Sequence, residues 1–247
     1  MPVAVISLAV QILAIVHVLR TGRDWRWVLL ILFLPGLGVL VYAAVEVLPS
    51  LGGSLTARRA VRRVRAAVDP ERDLRRERLE WESNPTVETA SRLADELTRA
   101  GRPLDAVRIC TEARTGLFED DPKLLLALAR AEFAAAEFAA AIRTLDYLRE
   151  KNPSFRSPEG HLLYARALEQ SGATKRALEE YERVAAYFPG PEAKARYALL
   201  LKRSGSIERA DELFGQILSD ARVAPRHFRK SQREWIDLAK REKTAGD

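Results

Sequence analysis

The chain has 247 residues, 47% apolar and 30% charged, with one Cys, one Met and a formal charge of +6. That length supports one or two domains with a sizeable core, and a lone Cys110 excludes a disulfide framework or a multi-Cys zinc site. The charge is unevenly placed: +1 over residues 1–50, +3 over 51–83, −1 over 84–222 and +3 over 223–247. A nucleic-acid binder carries its basic excess across its main folded surface, so a near-neutral central region argues against a nucleic-acid partner.

Val3 to Leu19 is a 17-residue apolar run broken only by Ser7, Gln11 and His17, and Trp27 to Leu48 is a 22-residue run with one charge, Glu46, near its end. Each is long enough to cross the hydrocarbon layer as a helix, which needs roughly 17–25 residues. The connection holds Arg20, Arg23, Asp24 and Arg26, with Trp25 and Trp27 at interfacial positions, so the two runs read as a transmembrane helical hairpin over 1–50. A cleaved signal peptide does not fit, because the first run lacks a basic leader and a second span follows at once. Pro35, Gly36 and Gly38 mark a kink that membrane helices tolerate.

The stretch from Arg23 to Val47, with its Trp pair, apolar run, Pro35, Gly38 and Tyr42, resembles the N-terminal membrane segment that precedes the catalytic part of cardiolipin synthases and related phospholipase D proteins. That resemblance would imply lipid synthesis only if the superfamily's His-x-Lys and downstream Asp were present. Here His17 and Asp24 flank Leu19 where the Lys is required, so the chemistry does not come with the segment.

From Thr56 to Val68 the apolar positions recur at helical spacing, while Arg58, Arg59, Arg62, Arg63 and Arg65 fill the other face. A basic amphipathic helix immediately after a membrane span is placed to meet anionic lipid head groups. Asp69 and Pro70 then signal the start of a second, highly charged helix that should end near Ser83, Asn84 and Pro85, which closes a juxtamembrane stalk over 51–83. The five stalk arginines outnumber Arg20, Arg23 and Arg26 of the hairpin loop. The positive-inside rule therefore predicts a two-pass inner-membrane protein with both termini and the remainder of the chain in the cytoplasm rather than the periplasm.

Residues 84–222 repeat. The segments around Ala106, Ala141, Ala177 and Ala210 superimpose at spacings of 35, 36 and 33. Each copy predicts a first helix, a turn at Gly101, Ala136, Gly172 or Gly205, and a second helix, with Pro122, Pro153 and Pro189 closing three of the four. This pattern resembles the tetratricopeptide repeat (TPR), in which two antiparallel helices per unit stack into a right-handed superhelix. It departs from it in lacking the first-helix Trp, in Ala136 at a Gly turn, and in the longer first repeat at Asp120 and Asp121. The fold expected is all-α: a transmembrane hairpin, then about four TPR-like repeats forming an α-solenoid, then a capping helix and tail over 223–247. The cap is predicted as one helix, Arg226–Lys243, with Phe228, Ser231, Trp235, Leu238 and Ala239 as its buried stripe.

The TPR resemblance implies a concave groove made by the first helices and a protein partner or peptide held in it. Transferred residue by residue, the groove positions are Asp95, Arg99, Lys123, Leu126, Arg130, Phe133, Leu162, Arg166, Glu169, Gln170, Leu199, Lys202 and Arg203. Arg130 and Arg166 occupy equivalent places in adjacent repeats, which suits an acidic peptide. The Asn residues of the family's chaperone-binding clamp are absent.

His17, His161 and His227 lie apart and none has a ligand at metal spacing; Cys110 falls on an apolar helix face, where a thiol behaves as an inert small hydrophobe. No phosphate loop, nucleophile elbow or HExxH is present, so no enzyme, cofactor or metal is expected. The sequence carries no signal for an oligomeric state. Two functions fit: a membrane-anchored scaffold in bacterial envelope assembly or quality control, or a non-catalytic accessory subunit of a phospholipase D-like or other lipid-metabolism enzyme.

Overall fold

The computed structural model describes residues 71–244 together with Ile12 and Val16, both helical and exposed. Apart from Ile12 and Val16, the predicted membrane hairpin and the Arg58–Arg65 stalk face lie outside the described residues, among which no helix is long and apolar enough to cross a membrane. The chain divides into two compact units, Met1–Arg72 and Asp73–Asp247. The described part of the second unit is all helical.

Its elements are α1 (Arg72–Ser83), α2 (Val87–Arg99), α3 (Pro103–Ala113), a 3-10 turn at Gly116–Phe118, α4 (Pro122–Ala134), α5 (Phe138–Lys151), α6 (Pro158–Gln170), α7 (Thr174–Ala185), α8 (Glu192–Arg203), α9 (Ile207–Val223), α10 (Arg226–Ser231) and α11 (Arg233–Thr244). The pairs α2/α3, α4/α5, α6/α7 and α8/α9 pack within themselves, and each second helix packs on the next first helix. This stacking is what buries the core, since one pair alone leaves its apolar face in water.

Small residues let the helices approach. Ala106, Ala141, Ala177 and Ala210 are each 0% exposed, and the first-helix residues twelve positions before them, Ala94, Ala129, Ala165 and Ala198, are buried too. The turns are alike at the level of single bonds. The amides of Arg102, Glu137, Ala173 and Ser206 donate to the carbonyls of Leu97, Glu132, Leu168 and Leu201 at 2.8–2.9 Å. This six-to-one bond is the Schellman closure of a helix, and it needs a left-handed residue just before the donor. Ala136 supplies it at φ 61°.

Several expectations are corrected. Pro122 opens α4 instead of closing a repeat: it is the first residue after Asp121, whose side chain accepts from the amides of Lys123 and Leu124 at 2.9 and 3.0 Å. A ring with no N–H loses nothing at that position. The repeat unit also begins earlier than residue 84, because α1 packs Leu74 and Trp81 into the core of the first repeat. Arg92 of α2 holds it there, 2.5 Å from Glu80 and 3.4 Å from Glu77.

The C-terminal cap is two helices, not one, with a break at Gln232 (φ −101°, ψ 15°). Ser231 is exposed, and the buried face of α11 is Ile236 and Ala239, flanked by the half-buried Trp235 and Leu238. Breaking the helix resets the register, so the apolar stripe starts at Trp235 and does not continue from Ser231. The fresh start lets α11 lie against α9 and α8 as the first helix of a further repeat would.

Candidate functional site

The first helices α2, α4, α6 and α8 carry the predicted groove positions. Leu126 and Leu162 are corrected: they are 7% and 4% exposed and belong to the core. Leu126 lies against Gly160 of the next first helix, where a Cβ would meet its Cδ1 at 3.1 Å. An apolar side chain placed between neighbouring first helices is covered by the stack and offers nothing to a partner.

Asp95, Arg99, Lys123, Arg130, Gln170 and Arg203 are exposed; Phe133, Arg166, Glu169, Leu199 and Lys202 are half-buried. Arg99 is tied to Glu96 of its own helix. Glu169 gathers three helices, accepting from the Tyr181 hydroxyl of α7 at 2.5 Å and pairing with Arg203 of α8. Burial and that carboxylate together push the Tyr181 hydroxyl far above the usual phenol range. Lys202 reaches α11, its Nζ 3.1 Å from both the carbonyl and Oε2 of Glu242.

Two guanidinium groups on the first helices lie over aromatic rings. Arg166 of α6 lies over Phe133 of α4, 4.6 Å from the ring centroid. Arg196 of α8 lies over Trp235 of α11 at 4.8 Å, and its Nε donates to Glu192 at 2.9 Å. The Arg166 guanidinium is held below its usual pKa, first by burial and then by the charge of Arg196, with Glu192 opposing. Arg196, Glu192 and Trp235 were not among the expected groove residues. Arg196 sits 14 positions before Ala210, on the same helical face as Leu199 and Arg203, so a wider helical projection would have found it; Trp235 joins only because α11 docks beside α8.

A further titratable cluster joins α6, α7 and Tyr187 just past the end of α7. The His161 ring bridges the Tyr187 hydroxyl at 2.5 Å and Glu180 at 2.7 Å, and Glu180 also meets Arg183 at 3.1 Å. Cys110 is fully buried, and burial raises its thiol to about 12.

With this geometry in view, a tetratricopeptide-repeat family model matches residues 97–167, from the end of α2 to α6. Two of the solved structures to which the chain is similar are TPR-like repeat proteins. One holds nearly identical TPR-like repeats of a kinesin light chain from Podosopora anserina, 20% identical with a TM-score of 0.52, covering 64% of this chain and 87% of that one. The other is a thermophilic TPR protein of Thermus thermophilus, 19% identical with a TM-score of 0.53, covering 70% and 88%. At these identities the likeness establishes the fold: a TPR-like α-solenoid. None of the curated proteins matches the sequence.

Proposed function

We propose that this chain is a non-catalytic, membrane-anchored scaffold that holds a protein partner on the first-helix face of its repeats, in bacterial envelope assembly or quality control. In this reading residues 1–50 form a two-pass inner-membrane hairpin. The stalk arginines Arg58, Arg59, Arg62, Arg63 and Arg65 rest on anionic lipid, and the repeats stand in the cytoplasm. The observation that carries the partner-binding part is the pair Arg130 and Arg166: both sit on first helices, and neither has an ion-pair partner among the described residues, whereas most cations around them do. Charge with no close ion-pair partner on the first-helix face is what an acidic segment can use.

The test is a photo-crosslinking amino acid placed in the full chain at Gln170 or Lys123 on the first helices, at Glu179 on a second helix, or in the hairpin. Protein adducts confined to the first-helix positions support the scaffold. Adducts only from the hairpin, and to a phospholipase D-like enzyme, would replace it with the accessory-subunit reading.

A further inference from the structure

The C-terminal cap carries a run of positive charge away from the first-helix face. The twelve residues from Arg222 to Arg233 include Arg222, Arg226, Arg229, Lys230 and Arg233 and no Asp or Glu. All five cations are exposed. Arg233 pairs with Asp237 at 3.2 Å, and the other four have no ion-pair partner among the described residues. The carboxylates on either side are already engaged: Asp220 lies 3.3 Å from Lys194, and Asp237 is shared with Lys240 at 3.5 Å.

Packing does not account for this segment. None of the six residues of α10 is buried. Its one aromatic, Phe228, is half-buried and lines a cavity of about 210 Å³ with Phe188, Ile217 and Ile236, so α10 covers the end of the core without filling it. Val223, at the end of α9, is 88% exposed. A single exposed aliphatic is ordinary on a protein surface. Set among four cations that lack a close ion-pair partner, it gives the composition of a surface that meets lipid, where electrostatic attraction and a small buried apolar area add.

We propose that the end of α9, α10 and the start of α11 form a lipid contact of the repeat unit, separate from the stalk, that rests on the surface of an anionic bilayer with Val223 among the head groups. The choice of a bilayer rests on the membrane-anchored reading above. The local chemistry favours it over a nucleic acid. Single strands are held by exposed aromatic rings on which bases stack, and the segment's only ring is turned to the cavity. A duplex is read by a helix or ribbon laid in a groove, whereas α10 is six residues long. A charged lipid surface asks for no fixed geometry, only for several Lys and Arg side chains within a Debye length of it.

The test uses the full chain with phosphatidylcholine vesicles that do or do not contain a third phosphatidylglycerol, each carrying a little lipid spin-labelled at head-group depth. A thiol-reactive fluorophore is attached at Val223→Cys; Cys110 is buried and does not compete for it. The control is Ile207→Cys, 48% exposed at the other end of α9 and about 24 Å away along the helix axis. The spin label should quench the fluorophore at 223 in the phosphatidylglycerol vesicles only, and the fluorophore at 207 in neither. Changing Arg226, Arg229 and Lys230 to Gln should lower the contact equilibrium about fivefold for each charge removed. Raising sodium chloride to about 0.5 M should release the contact without any substitution. No quenching at 223 in anionic vesicles, equal quenching at 207, or quenching indifferent to both charge and salt overturns the proposal. So does tighter binding of a single-stranded DNA oligonucleotide than of the anionic vesicles, read by the same fluorophore. Flotation separates the two readings: a chain that floats with both vesicles but is unquenched at 223 loses this contact and keeps its anchor. One that floats and is quenched only with phosphatidylglycerol keeps the contact and loses the anchor, and one that floats with neither loses both.

Discussion

Ala136 and Gly172 occupy the same turn in successive repeats, both with positive φ, 61° and 84°. The closing hydrogen bond is the same in each, 2.9 Å from the following amide to Glu132 or Leu168. A Cβ at Gly172 would meet nothing within 4 Å, so the difference between the two residues is backbone conformation and not a clash. The left-handed region costs a residue with a Cβ roughly 1–2 kcal/mol, offset in part by glycine's greater freedom when unfolded.

Ala136→Gly should therefore stabilise the repeats by about 0.5–1 kcal/mol, and Gly172→Ala should destabilise them by about as much. Thermal melts followed by circular dichroism would show shifts of opposite sign. Shifts of the same sign would mean that the turn is not the controlling feature.

Glu132 stands where the other repeats have Leu97, Leu168 and Leu201. It is 8% exposed, and its Oε2 has no hydrogen-bond partner. Burial raises its carboxyl above the usual range, with a hydrogen bond from Thr144 pulling it part of the way back. The unfolded chain therefore loses this proton at lower pH than the folded one does. The penalty on folding is absent below the ordinary carboxylate pKa and grows as pH rises through the raised value. Glu132→Leu should raise the melting temperature at pH 7, by an amount reflecting about 1–3 kcal/mol, and have little effect near pH 4. Melting curves across that range decide it; an equal shift at both ends would remove the titration from the explanation.

Ala177 is fully buried in the larger core cluster, where α7 meets its neighbours. Ala177→Trp should cost about 1–3 kcal/mol or more, because a closely packed contact cannot admit an indole. Leu117, 98% exposed on the turn between α3 and α4, is the matched control, and Leu117→Trp should leave the melt unchanged. Equal melts for the two variants would displace the repeat register.

Topology is tested independently. A green fluorescent protein fused after Asp247 should fluoresce, and alkaline phosphatase at the same site should be inactive, if the repeats are cytoplasmic as the five stalk arginines predict. The reverse pattern would place them in the periplasm.

The period, the four central alanines, the turn positions and the burial of Cys110 are all legible in the sequence. Each is a local or strictly periodic demand: a helix pair needs a small residue where it crosses its neighbour, and a Schellman turn needs a residue that accepts positive φ. What one repeat presents to the next is not local. Leu126 and Leu162 look like groove residues by position, yet they are buried because the adjacent first helix covers them. Gln232 breaks a stretch that reads as one helix, and that break brings Trp235 beside Arg196, 39 residues earlier in the chain. The same holds for Arg166, whose stacked face comes from Phe133 on the preceding first helix. Sequence determined that there would be repeats and where they turn. Only the stacking of one repeat on another decided which arginines were given a ring, which were given a carboxylate, and that Arg166 received only the ring.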